Sequence, residues 1–101
     1  MADIQRIFAD GPESAAAFIA QEQRVRATDD LSIKELSDIS WTRARTLAKS
    51  QVAEATRWAK VALAGYEFLR QHAESVIAES AAENAAALRS WRLLEDEATA
   101  A

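Results

Sequence analysis

The sequence predicts an all-α chain: short N-terminal helices followed by one long amphipathic helix, in an oligomeric helical bundle or coiled-coil-like assembly. Three observations carry this expectation. The 101 residues include Gly 2 and Pro 1 as their total counts, whereas a β-rich fold needs a turn about every 8–12 residues. Apolar residues recur at helical spacing along one stripe from Trp41 onward. A complete helix-start pattern, LSIKEL (31–36), stands just before that stripe.

The elements follow in chain order. DIQRIFA (3–9) makes one or two helical turns with Ile4, Ile7 and Phe8 on one side. Asp10-Gly11-Pro12-Glu13 stops the chain and restarts it. Gly11 can take positive φ, Pro12 suits the first helical position, and Glu13 favours the positive end of a helix. The next helix runs from Pro12 to about Ala27 and presents Ala15, Phe18, Ile19 and Val25 on a narrow stripe. Thr28-Asp29-Asp30 breaks the pattern, so 1–30 forms an N-terminal region of short helices. Residues 31–101 hold a capped helix and the long helix, within a single domain overall. In LSIKEL, Ser32 caps the backbone N–H of Glu35 and the Glu35 side chain reaches back. Leu31 and Leu36 then occupy the two positions of a hydrophobic staple.

From Trp41 onward a helical wheel is informative. With Arg43 at zero, Trp41, Ala44, Ala48, Ala55, Trp58, Ala59, Ala62, Tyr66, Leu69, Ala73, Val76, Ile77, Ala87, Trp91, Leu94 and Ala98 all fall between about 60° and 160°. Leu88 lies just beyond, near about 180°. Leu36 and Ile39 fall outside, so a kink near Ile39–Ser40–Trp41 is expected, with Ser40 as a new cap. The stripe then implies one helix from Trp41 to about Asp96, about 84 Å long at 1.5 Å per residue. A helix over 12–27 is about 24 Å long and cannot cover it. Gly65 is its one intrinsic weak point, costing about 1 kcal/mol relative to alanine, and ESAAEN (79–84) is the next.

Self-association is therefore expected to shelter the stripe. Val61, Gly65 and Phe68 form a second strip, with Gly65 letting a neighbour come close. Cover on two sides suits a three- or four-helix arrangement better than a two-stranded coil. The expected interface comprises Trp41, Trp58, Val61, Gly65, Tyr66 and Phe68, continuing through Leu69, Val76, Ile77, Leu88, Trp91 and Leu94. Much of the 50% hydrophobic content is alanine, which buries little area, so a compact monomer would be marginal. The partner is a second copy, or else another helical protein.

The net charge of −4 is uneven. Lys34, Arg43, Arg45, Lys49, Arg57 and Lys60 make the middle basic, and both flanks are acidic. This pattern fits charge complementarity between helices. The alternative is a small DNA-binding regulator using 34–60, with Arg43, Arg45, Lys49, Arg57 and Lys60 as contacts. Arg45, Lys49, Arg57 and Lys60 share a face at about 200–320° on the wheel, opposite the apolar stripe. LSIKELSDISWTRARTLAKSQ (31–51) resembles a helix-turn-helix, but the turn glycine is missing and Trp41 stands near its place. The chain is also acidic where DNA readers are commonly basic, so nucleic acid is disfavoured as a partner.

Catalytic, cofactor and metal residues are all expected to be none. Cysteine is absent, which excludes disulfides and thiolate metal sites. His72 is the single histidine and lies off the stripe, and Glu74, Glu79 and Glu83 lack an ExxH partner. No HExxH, GxSxG or Gly-rich phosphate loop occurs. MADIQRIFAD is not a secretory signal. Apolar runs such as VALAGY (61–66) fall far short of the roughly 20 residues that span a bilayer. A cytoplasmic location without a transmembrane segment follows.

The aromatic-alanine texture of TRWAKVALAGYEFLRQHAES (56–75) resembles that of phasins, proteins that coat polyester storage granules. That resemblance implies an amphipathic surface-coating role as a further alternative. Secreted hairpins of the WXG100 type share the length but carry a Trp-x-Gly turn that this chain lacks. The expected role is a non-enzymatic assembly, scaffold or adaptor protein acting through its helical surface.

Overall fold

Local capping chemistry starts the first helices where expected. The computed structural model describes residues 3–94. In α1, Ile4–Ala9, the Asp3 carboxylate accepts from the Arg6 N–H at 3.2 Å. Gly11 takes φ 111°, which a side chain would oppose, and Pro12 opens α2, Pro12–Val25. Helix α2 buries Ala15 and Ile19 and ends at Val25, which is exposed rather than on the apolar stripe. Arg26 turns the chain with a left-handed φ of 53°. The buried Glu22 carboxylate holds this corner, accepting from the Thr28 N–H at 2.9 Å and the Thr28 hydroxyl at 2.7 Å.

The third helix corrects two expectations. Helix α3 spans Asp30–Leu47, and its cap is Asp29, whose carboxylate accepts from the Ser32 N–H at 2.8 Å. Aspartate is at least as good a cap as serine, so the helix begins earlier than Ser32. Leu31 then lies inside the first turn, 67% exposed, while Leu36 is buried, and the staple does not form. The expected kink near Ile39–Ser40–Trp41 is absent as well. Ser40 is buried in mid-helix, on a face shared with Ile33, Leu36, Ser37, Trp41, Ala44 and Leu47. This face is broad enough to include Leu36 without a change of direction. The helix-turn-helix likeness loses its turn with the kink.

The single long helix is the main correction. The breaks on either side of α4, Val52–His72, separate it from α3 and from α5, Ser75–Arg89, and a third at 90–91 precedes helical backbone at 92–94. The expected end near Asp96, like Ala98, lies outside the described residues. Neither break beside α4 contains glycine or proline. At the first, the Ser50 and Gln51 N–H groups both donate to the Leu47 carbonyl, at 3.2 and 2.9 Å. At the second, Ala73 and Glu74 are extended, with ψ of 165° and 162°. The molecule measures 34 × 27 × 22 Å, which no 84 Å rod could fit. Helix propensity differs by only tenths of a kcal/mol between ordinary residues. Burial of side chains such as Trp58, Tyr66 and Leu69 offsets the hydrogen bonds lost at these turns.

The stripe's apparent phase also fails in α5. Ala81, Ala85 and Leu88 are its buried residues, whereas Val76 and Ala87, both counted on the stripe, are exposed. The buried face has turned by about 90° on the common wheel. Alanine conceals this shift, because α5 carries it on every side.

Helix α4 is the hub, packed by α2, α3 and α5, while α1 rests on α2 and α3. Gly65 sets its closest approach. A Cβ there would overlap the Ser37 hydroxyl and lie 3.1 Å from Ser37 Cβ and 3.3 Å from Ile19 Cδ1. The close neighbours are thus α3 and α2 of the same chain. No described helix is long and apolar enough to cross a membrane.

The crossing yields a stability prediction. Gly65→Ala should destabilise the fold, since overpacking costs about 1–3 kcal/mol and the gain in helix propensity is about 1 kcal/mol. Adding Ser37→Ala should recover part of the loss in urea unfolding. A Gly65→Ala chain more stable than the parent would contradict this crossing.

Candidate interaction surface

Most of the residues expected at an intermolecular seam pack within the chain. Trp58 is 3% exposed and meets the Phe8 ring of α1 with centroids 4.6 Å apart. Trp41 is met edge-on by Trp91 at 4.9 Å and 84°. Val61, Gly65, Tyr66, Phe68, Leu69 and Leu88 are buried, and Ile77, Trp91 and Leu94 pack partly buried against the same core. Val76 differs, at 70% exposed. Apolar side chains serve an internal or an external seam equally well, and here the chain folds back to use them internally.

The basic residues do not form one continuous face. Arg45 lies over the Trp41 ring, 4.7 Å from its centroid, beside the contact with Trp91. Arg57 points instead toward α2, where it pairs with Glu13 at 3.4 Å. Arg43 and Lys49 are exposed at the end of α3 and in the following turn. This arrangement divides between two sets of neighbours the cations that a helical wheel had grouped together.

Asp38 and Glu67 hold helices together. Asp38 accepts from the Tyr66 hydroxyl at 2.5 Å and from Lys34 at 2.7 Å, tying α3 to α4. Glu67 pairs with Arg70 at 2.8 Å and also with Arg89, tying α4 to α5. His72 is exposed, beside the Phe68 ring and 3.4 Å from Arg26. Glu74 precedes α5, and Glu79 and Glu83 are exposed along it. Among the described residues no group of His, Cys, Asp and Glu is placed to hold a metal ion.

One concave feature among the described residues is a groove of about 180 Å³ between α2 and α4. Pro12, Ala16 and Val61 form its apolar lining, and Glu13, Arg57 and Lys60 edge it. Two elements build it. Pro12 starts α2 so that Ala15 and Ile19 face inward, which leaves Ala16 beside the seam. On α4, Val61 sits between the inward face and the cations at 57 and 60. A shallower groove along α3 involves Leu31, Lys34, Glu35, Asp38 and Ile39. Sequence reasoning found Arg57, Lys60 and Val61 but not Pro12, Glu13 or Ala16. Only the packing of α2 on α4 brings the two sets together, and no local spacing records it.

The Tyr66–Asp38 bond predicts a pH dependence. Burial first, then the hydrogen bond and the nearby Asp38 charge, push the Tyr66 phenol far above its ordinary value. In the unfolded chain the phenol ionises near about pH 10. Unfolding above that pH therefore releases a proton, and stability falls as pH rises past it. Tyr66 is the single tyrosine, so its ultraviolet titration is unambiguous. The folded chain should show no phenolate at about pH 11, and Tyr66→Phe should lessen the alkaline loss of stability. Phenolate appearing near pH 10 with helicity intact would contradict the buried bond.

Comparison with protein families, with characterised proteins and with solved structures finds no match to this chain.

Proposed function

We propose that this chain is a non-enzymatic helical assembly or adaptor protein that acts through its folded surface and associates with itself. The observation that carries the reading is the groove between α2 and α4, whose apolar lining is bordered by Arg57 and Lys60. Such a surface suits a helix bearing a few apolar side chains and acidic neighbours. The engagement of Asp38, Glu22 and Glu67 in contacts between segments of the chain supports the same reading. These carboxylates serve packing, and holding them among fixed partners suits rigidity better than turnover. Exposed Val25, Leu31, Val52 and Val76 add scattered apolar contact points.

This reading differs from the long-rod expectation in what associates. The core is closed by the chain's own helices, so copies meet as folded units through outer faces. Sedimentation equilibrium tests it. The average mass should rise above the 11.1 kDa of one chain as concentration increases through the micromolar range. A mass fixed at one chain throughout, with full helicity, would overturn self-association.

A further inference from the structure

Helix α5 presents a ridge that matches the α2–α4 groove in both charge and spacing. Its inward face is Ala81, Ala85 and Leu88. On the opposite side Val76, Glu79, Glu83 and Ala87 are exposed, within an arc of about 80°. Val76 stands 70% exposed at the start of this ridge, the most exposed of the large apolar side chains described. The groove offers the converse: an apolar lining of Pro12, Ala16 and Val61 with Arg57 and Lys60 along its edge. Both features face outward in the folded chain, so one can fill the other only in a second molecule.

We infer that the α5 ridge of one copy seats in the α2–α4 groove of the next, an inference that rests on the self-association proposed above. Residues three or four apart on a helix are neighbours about 5–6 Å apart. Arg57 and Lys60 are so spaced on α4, and Glu79 and Glu83 on α5. Two helices lying side by side can therefore align both cations with both carboxylates while Val76 enters the apolar lining. The Glu13–Arg57 pair already in the groove is more than half exposed on both side chains. Exposed pairs of this kind contribute little, so exchanging Glu13 for an incoming carboxylate costs little. Ridge and groove are different surfaces, so the contact is head to tail, and it yields rings or open chains rather than a two-fold dimer.

Paired charge reversals test the contact, because every substituted residue lies on the surface. The Arg57→Glu/Lys60→Glu and Glu79→Lys/Glu83→Lys chains should each keep their helical circular dichroism. Each alone should associate about tenfold more weakly than the parent in low salt. Mixed in equal amounts, the two should regain the parent's average mass, because each ridge then meets a groove of opposite charge. If the parent associates and neither variant changes that, this contact is wrong while self-association stands. If the parent remains a single chain, both fall together.

Discussion

The closest constraint in this molecule is the absence of a side chain at Gly65. Ser37 of α3 and Ile19 of α2 approach α4 at this one position, close enough that a Cβ would collide with the serine hydroxyl. Ser37 is held there by its own hydrogen bond to the Ile33 carbonyl at 2.8 Å. The rest of the packing follows from that approach. With α3 drawn in, the Tyr66 hydroxyl reaches Asp38, and with α2 drawn in, Pro12 and Ala16 come beside Val61. Small residues at Ala55, Ala59 and Ala62 keep the buried side of α4 flat enough for neighbours to lie near it. Larger side chains at Trp58, Tyr66 and Leu69 then fill the remaining space.

How far the sequence disclosed this depends on the kind of signal. The helical class, the corner at Gly11-Pro12 and the need for cover on two sides of the central turns were legible, because each rests on local chemistry or on a simple period. Gly65 was recognisable as a point of close approach, but its neighbour's identity was not. The two breaks flanking α4 were illegible. Ala48-Lys49-Ser50-Gln51 and Ala73-Glu74 contain no residue that disfavours helix strongly. They are turns because three short helices bury more apolar surface within one chain than a rod does, and that comparison is global. Alanine made the error easy, since it satisfies almost any wheel, and the exposure of Val76 and Ala87 is where the phase argument fails. The cap at Asp29 was a closer matter, decided by which of two good capping residues comes first.

The charged residues tell a similar story. A wheel drawn through 34–60 groups Arg45 with Arg57, but folding turns one onto the Trp41 ring and the other toward Glu13. What the wheel read as one basic face becomes a cation–π contact on one side and the rim of an apolar groove on the other. The acidic flanks likewise divide. Glu22 and Glu67 bind within the chain, whereas Glu79 and Glu83 remain outside on α5. The proposed α5 ridge is therefore a remainder, made of side chains that the core did not use. Such a remainder can be read only once the core is known.

At the centre of this account, α4 is enclosed by its own chain rather than by other copies. Native-state hydrogen exchange across a dilution series tests that most directly, because the slowest amides report what completes the core. The account predicts that amides of α4 around Val61–Leu69 exchange slowest, with protection unchanged on dilution. Protection in α4 that falls as the chain is diluted would contradict it, since the helix would then depend on neighbouring molecules for its cover.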